Sequence, residues 1–149
     1  MENKVILLVE DNPDDAALML RTIKESEIQN QIVVAHDGAE ALEYVFCQGD
    51  YKQREDCELP IFIILDIRLP KINGLEVLKQ IRNDERTKLL PVVMLTSSDE
   101  ECDLIESYTL GANSYVRKPV NFIQFQNVVE QLIKYWLTWN EVPSLPIGS

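Results

Sequence analysis

The chain has 149 residues and carries 25 acidic against 14 basic side chains, for a formal net charge of −11. That length suits one domain, which buries about 68–70% of its unfolded surface and needs neither disulfides nor metal to fold. The charge argues against direct binding to nucleic acid or an anionic membrane, and by itself asks for no more than solubility. Cys47, Cys57 and Cys102 are odd in number and lack a CxxC spacing, and His36 is the one histidine. They argue against a zinc site and point to thiols kept reduced in a cytoplasmic setting. Met1–Lys4 is followed by too few apolar residues for a signal peptide, and no run approaches the roughly 20 that a membrane span needs.

In chain order, strand and helix signals alternate, which implies βα units and a parallel sheet. Val5–Val9 is an apolar run that ends in Glu10-Asp11. Asn12-Pro13 then starts a helix, with Asn as N-cap and Pro at the first helical position, running through Ala16, Met19, Leu20 and Ile23. Ile32–Ala35 is a second strand. Asp37 and Glu40 are spaced as a capping box that opens a helix through Ala41, Leu42, Val45 and Phe46.

Gln48–Glu58 is polar and aperiodic, an extended loop long enough to be an insertion. Ile61–Leu65 is a third apolar strand, closed by Asp66. Asn73-Gly74 turns the chain into a helix carrying Val77, Leu78 and Ile81. Pro91–Leu95 is a fourth strand that ends at Thr96. Ser98, with Glu101 three residues on, is placed to cap the next helix, which Gly111 stops. Asn113–Arg117 is a short fifth strand, ending at Lys118-Pro119.

The last helix is expected from about Pro119 to Asn140. Phe122, Phe125, Val129, Leu132, Trp136 and Trp139 form its apolar stripe, widened by Val128 and Tyr135. Residues 1–140 read as one domain, 141–149 as an irregular tail, and no output domain follows.

Apolar runs of this kind are central strands of a parallel sheet, buried on both faces. Their C-terminal ends meet at one edge, where open α/β sheets bind ligands. Glu10, Asp11 and Asp66 therefore converge there. Crowded carboxylates repel one another, and at least one has its pKa raised unless a cation intervenes. Mg²⁺, a hard ion that takes carboxylates, waters and phosphate oxygens, suits such a site best. Helix capping competes as a role for Asp11. Thr96 and Lys118 arrive at the same edge, the lysine where it would meet charge on a phosphate held by Asp66. A cis Lys118-Pro119 bond is one way to aim that lysine inward.

Glu10-Asp11, Asp66-Ile67-Arg68-Leu69-Pro70 with Asn73-Gly74, Thr96-Ser97-Ser98 and Lys118-Pro119, in that order, resemble a CheY-like receiver domain of two-component response regulators. The resemblance spans about Lys4 to Trp139. It implies an α/β, flavodoxin-like, doubly wound five-stranded parallel sheet in the order 2-1-3-4-5, with helices on both faces. It implies that Asp66 accepts a phosphoryl group from a histidine kinase. Asp11 and Asp66 would bind Mg²⁺ directly, Glu10 through water, and the backbone carbonyl of Arg68 would be a further ligand. Thr96 and Lys118 would hold phosphoryl oxygens, and Thr96 with Tyr115 would form the switch, against a plain half-buried role for Tyr115. Such a domain promotes its own phosphotransfer and self-dephosphorylation without being a conventional enzyme.

Glu at position 10 stands where Asp is more usual, lengthening the reach to metal-bound water. The Arg68 side chain either shields the phosphoryl group from water or lies in solvent. Glu10–Asp15, Leu95–Ser98, Leu110–Tyr115 and Tyr135-Trp136 are similar to the stand-alone regulators that partner bacterial phytochromes. A phytochrome-type histidine kinase is thus the expected partner, with a hybrid kinase of another type and a phosphorylation-independent interaction module as alternatives. The broad apolar face of the last helix implies a homodimer through that helix and the fifth-strand face, unless the tail folds back over Trp139. Two phosphohydrolase classes each fail at one residue. Haloacid dehalogenases require Asp where Pro13 stands, and topoisomerase-primase domains require a second Asp where Arg68 stands.

Overall fold

The computed structural model describes residues 4–54 and 57–143. Five parallel strands are β1 (Ile6–Val9), β2 (Ile32–Ala35), β3 (Phe62–Leu65), β4 (Val92–Thr96) and β5 (Ser114–Arg117), in the order β2-β1-β3-β4-β5. Between and after them run α1 (Pro13–Glu25), α2 (Gly38–Val45), α3 (Gly74–Asn83), α4 (Glu101–Thr109) and α5 (Phe122–Lys134). This is the expected doubly wound architecture.

Successive strand residues face opposite sides, so each apolar run feeds two cores. Leu7, Val9, Ile63, Leu65, Val92 and Met94 pack with α2 and α3. Ile6, Leu8, Phe62, Ile64, Val93 and Leu95 pack with α1 and α5. The three central strands are buried along their whole length, whereas the edge strands β2 and β5 are largely half-buried. The helix starts follow their caps: Asn12, Asp37, Asn73 and Asn121 side chains each accept an N–H three residues on. Glu40 returns its bond to the N–H of His36, one residue before the expected partner.

Several expectations need correction. Ser98 does not cap α4; its hydroxyl is drawn to Asp103 Oδ2 at 2.6 Å, and Glu100 takes the cap position. The described residues contain no cis peptide, so Lys118-Pro119 is trans. Lys118 needs no sharp turn, because its N–H donates to Thr96 O at 2.7 Å and carries the chain along β4 to the site. Cys47 and Cys57 are joined in a disulfide, leaving Cys102 as the free thiol, so the reading of three reduced cysteines does not hold. The Gln48–Glu58 segment is less open than expected, with a 3₁₀ turn at Gly49–Tyr51 and Arg54 stacked 4.0 Å from the Tyr44 ring. Residues 55 and 56 of that segment, and 144–149 of the expected tail, lie outside the described residues.

In α5 the buried face is Phe125, Val129 and Ile133, and just beyond its end Trp136 is buried and stacks on Phe62 at 5.8 Å between centroids. Phe122 and Trp139, placed in the stripe by spacing, are exposed. A π turn over Tyr135–Trp139 explains the second case, since the Asn140 N–H bonds Tyr135 O and shifts the helical register.

Candidate phosphoryl and metal site

The sheet's C-terminal edge brings Glu10, Asp11 and Asp66 together as the spacing implies. Hydrogen bonding between strands continues past their ends: Glu10 N–H donates to Ala35 O and Asp66 N–H to Val9 O. The start of α3 presses on the same spot, where a Cβ on Gly74 would lie 2.0 Å from Asp66 O. Any side chain at position 74 would therefore displace the Asp66 backbone. Glu10 is 2% and Asp66 5% exposed, while Asp11 faces solvent. One carboxylate oxygen from each of the three lies within 4.8 Å of the others.

Lys118 reaches this cluster from the end of β5, its side chain 7% exposed. Its Nζ lies 2.6 Å from Glu10 Oε1 and 3.0 Å from Asp66 Oδ2. The other Asp66 oxygen accepts the Ile67 N–H at 2.7 Å. Glu10 Oε2 accepts the Asn12 N–H at 3.2 Å. Asp15 Oδ2, from α1, also touches Lys118 Nζ at 3.0 Å, a contact that sequence reasoning missed. Its signal is its place on the first helical turn, where the side chain tilts back toward the sheet edge.

Electrostatics in this cluster follow from burial. Desolvation pushes the Glu10 carboxyl up from 4.5 to about 7; the Lys118 hydrogen bond opposes this and the charge of Asp66 adds to it. Burial alone would depress the Lys118 ammonium, but the bond to Glu10 and the charges of Asp66 and Glu10 outweigh it and hold lysine above its ordinary value.

Thr96 is fully buried at the end of β4, and its hydroxyl accepts the Ser98 N–H at 3.3 Å. The half-buried Tyr115 donates its hydroxyl to Ser98 O at 3.3 Å. The Arg68 side chain is 62% exposed, in keeping with the solvent alternative, but it is not without partners. Its guanidinium pairs with Asp103 Oδ2 at 3.1 Å and Glu100 Oε2 at 3.3 Å, because the buried Asp103 carboxylate needs a partner. A second acidic grouping, Glu100, Cys102 and Asp103, is thus already occupied by a cation.

Known proteins share this fold. The family model of the response regulator receiver domain matches residues 6–130. The probable methanogenesis regulatory protein FilR2 of Methanothrix harundinacea is 40% identical over 140 residues, 93% of this chain and 87% of FilR2. Response regulator Rcp1 of Synechocystis sp. is 38% identical over 141 residues, 95% of this chain and 94% of Rcp1. The Mn²⁺-bound crystal structure of Rcp1 matches with a TM-score of 0.88 over 95% of this chain and 99% of that one. The phosphorylated cyanobacterial phytochrome response regulator RcpA matches with a TM-score of 0.89 at 37% identity, over 95% and 99%. The chain belongs to the response regulator receiver domain family. No helix among the described residues is long and apolar enough to cross a membrane.

The Glu10 shift has a consequence for stability in the absence of metal. The carboxyl binds its proton more tightly folded than unfolded, so this group's contribution is full below pH 4.5 and is lost as pH rises through about 7. With EDTA present, the urea midpoint should fall between about pH 5 and about pH 7.5, and Glu10→Gln should flatten that fall. A variant whose pH profile matches the parent would contradict the assignment.

Proposed function

We propose that Asp66 accepts a phosphoryl group from the phosphohistidine of a histidine kinase, with Mg²⁺ as the cofactor. The observation that carries this reading is the three-acid cluster with Lys118 Nζ 3.0 Å from Asp66 Oδ2. The donor set fits the ion: all three side chains offer hard oxygens, and a buried acid raised to about 7 is one that a dication would discharge. Glu10, Asp11, Asp66 and the backbone carbonyl of Arg68 would hold it. When bound, Mg²⁺ supplies neutralisation of negative charge on phosphoryl oxygens.

An Asp66 carboxylate oxygen attacks phosphorus as the P–N bond to the histidine breaks, and the imidazole nitrogen retains the bonding pair and takes a proton. Lys118 places its ammonium where charge gathers on the oxygens in transfer. Thr96 leaves the Ser98 N–H and turns its hydroxyl to the phosphoryl group. Tyr115, bonded to the same loop through Ser98 O, follows and alters the surface of α4, β5 and α5.

A phytochrome-type kinase is the donor we favour, supported by the likeness to RcpA. The likeness to FilR2, named for methanogenesis, supports a kinase of another type as the second reading. A homodimer through α5 and β5 completes the proposal. It is supported by a groove of about 540 Å³ lined by Ser114, Val116, Val128, Leu132, Tyr135 and Trp136. Val142 packs against the α1–α5 core, yet Trp139 stays 70% exposed and Tyr135 50%.

Two outcomes check these statements. Incubation with Mg²⁺ and acetyl phosphate should add one phosphoryl group by intact mass, abolished in Asp66→Asn; a gain of equal size in the variant would defeat the reading. Light scattering should give a mass near twice 17.2 kDa that falls toward the monomer in Tyr135→Glu. A monomer at every concentration would defeat the dimer.

A further inference from the structure

Lys118 keeps an acidic partner that the metal reading does not use. An ammonium has three protons, and the three oxygens on Lys118 Nζ come from Glu10, Asp66 and Asp15. Glu10 and Asp66 belong to the cluster that would take the ion; Asp15 stands outside it. Asp15 is the third residue of α1, where Asn12 Oδ1 accepts its N–H at 3.0 Å. Its side chain, 29% exposed, joins the first turn of α1 to the end of β5.

An acid in a first helical turn is favoured by the helix dipole wherever it points. Asp14 meets that description: it is adjacent, carries the same charge and is exposed. The Asp15 carboxylate does more, because its oxygen is spent on a nearly buried ammonium. Once Glu10 and Asp66 are committed to a cation, Asp15 is the partner of the lysine that remains. Lysine is a point charge on a flexible four-carbon stem, so without a fixed partner it has no defined place. Deprived of Asp15, its nearest anions are the acids that the ion needs.

We propose that Asp15 is a positioning residue for phosphotransfer: its carboxylate anchors the Lys118 ammonium beside Asp66 and remains its partner when Glu10 and Asp66 take the metal ion. This rests on the reading of Asp66 as phosphoacceptor. Asp15 touches neither the phosphoryl group nor the ion, and it acts through Lys118.

The test compares the parent chain with Asp15→Asn, Asp15→Ser, Asp14→Asn, Lys118→Ala and the Asp15→Asn/Lys118→Ala pair. Two quantities are read: the rate of phosphorylation by acetyl phosphate at saturating Mg²⁺, and the Mg²⁺ dissociation constant by calorimetry without any phosphodonor. Both Asp15 variants should slow phosphorylation by about fivefold to tenfold and weaken Mg²⁺ binding by about threefold, with Asp14→Asn within about twofold of the parent. In the Lys118→Ala background, Asp15→Asn should change neither quantity further, since the two residues act as a pair. The inference is overturned if the Asp15 variants behave as Asp14→Asn does, or if Asp15→Asn has its full effect without Lys118. A parent chain that takes no phosphoryl group overturns the acceptor reading, and this inference with it.

Discussion

A lysine ammonium almost out of water, held by three carboxylates, is the interaction on which the site depends. Neither side is stable alone. Removing an ammonium from water costs several kcal/mol unless good partners replace the solvent. Glu10 and Asp66, buried side by side, repel each other unless a positive charge stands between them. Lys118 supplies that charge, and Glu10 still sits at about 7, so the balance is incomplete. A site left in that condition favours a further cation.

The sheet makes this arrangement unavoidable. Three fully buried parallel strands bring their C-terminal ends to one rim, and any acid placed just past them must share it. Two close contacts fix the detail: Gly74 lets α3 rest against the Asp66 carbonyl, and the bond from Lys118 N–H to Thr96 O carries β5 far enough for its lysine to reach in. On the outer side, Arg68 and Ser98 both bond the Asp103 carboxylate, while Tyr115 bonds Ser98 O. The loops after β3 and β4 are thus joined through the buried Asp103, and the loop after β4 is joined to β5 through Ser98 O.

Much of this was legible in the residues. Unbroken apolar runs ending in acids identify both the strands and the edge, because burial on two faces leaves no alternation and a charge can follow only where water or a ligand begins. Helix starts at Asn12 and Asp37 are readable from capping residues ahead of an apolar period, and Asn73-Gly74 reads as the turn before another. What escaped depends on distances between elements. The Asp15–Lys118 contact joins residues 103 apart in sequence. Ser98 looked like a cap because local spacing cannot show Asp103 competing for its hydroxyl. Spacing alone does not place the Arg68 guanidinium, because its partner Asp103 lies on α4. The exposure of Trp139 follows from a π turn that a 3.6-residue period does not contain, and the Cys47–Cys57 pair from a fold-back in a segment without periodicity.

If the acidic rim takes Mg²⁺ as proposed, the ion discharges a carboxyl that burial has raised to about 7. Calorimetric titration with Mg²⁺ in buffers of different ionisation enthalpy reads that discharge. At about pH 6 the ion should release about one proton on binding, falling toward none near pH 8, and Glu10→Gln should abolish the release. Binding without proton release at the lower pH, or binding that survives intact in Asp66→Asn and Asp11→Asn alike, would contradict the account.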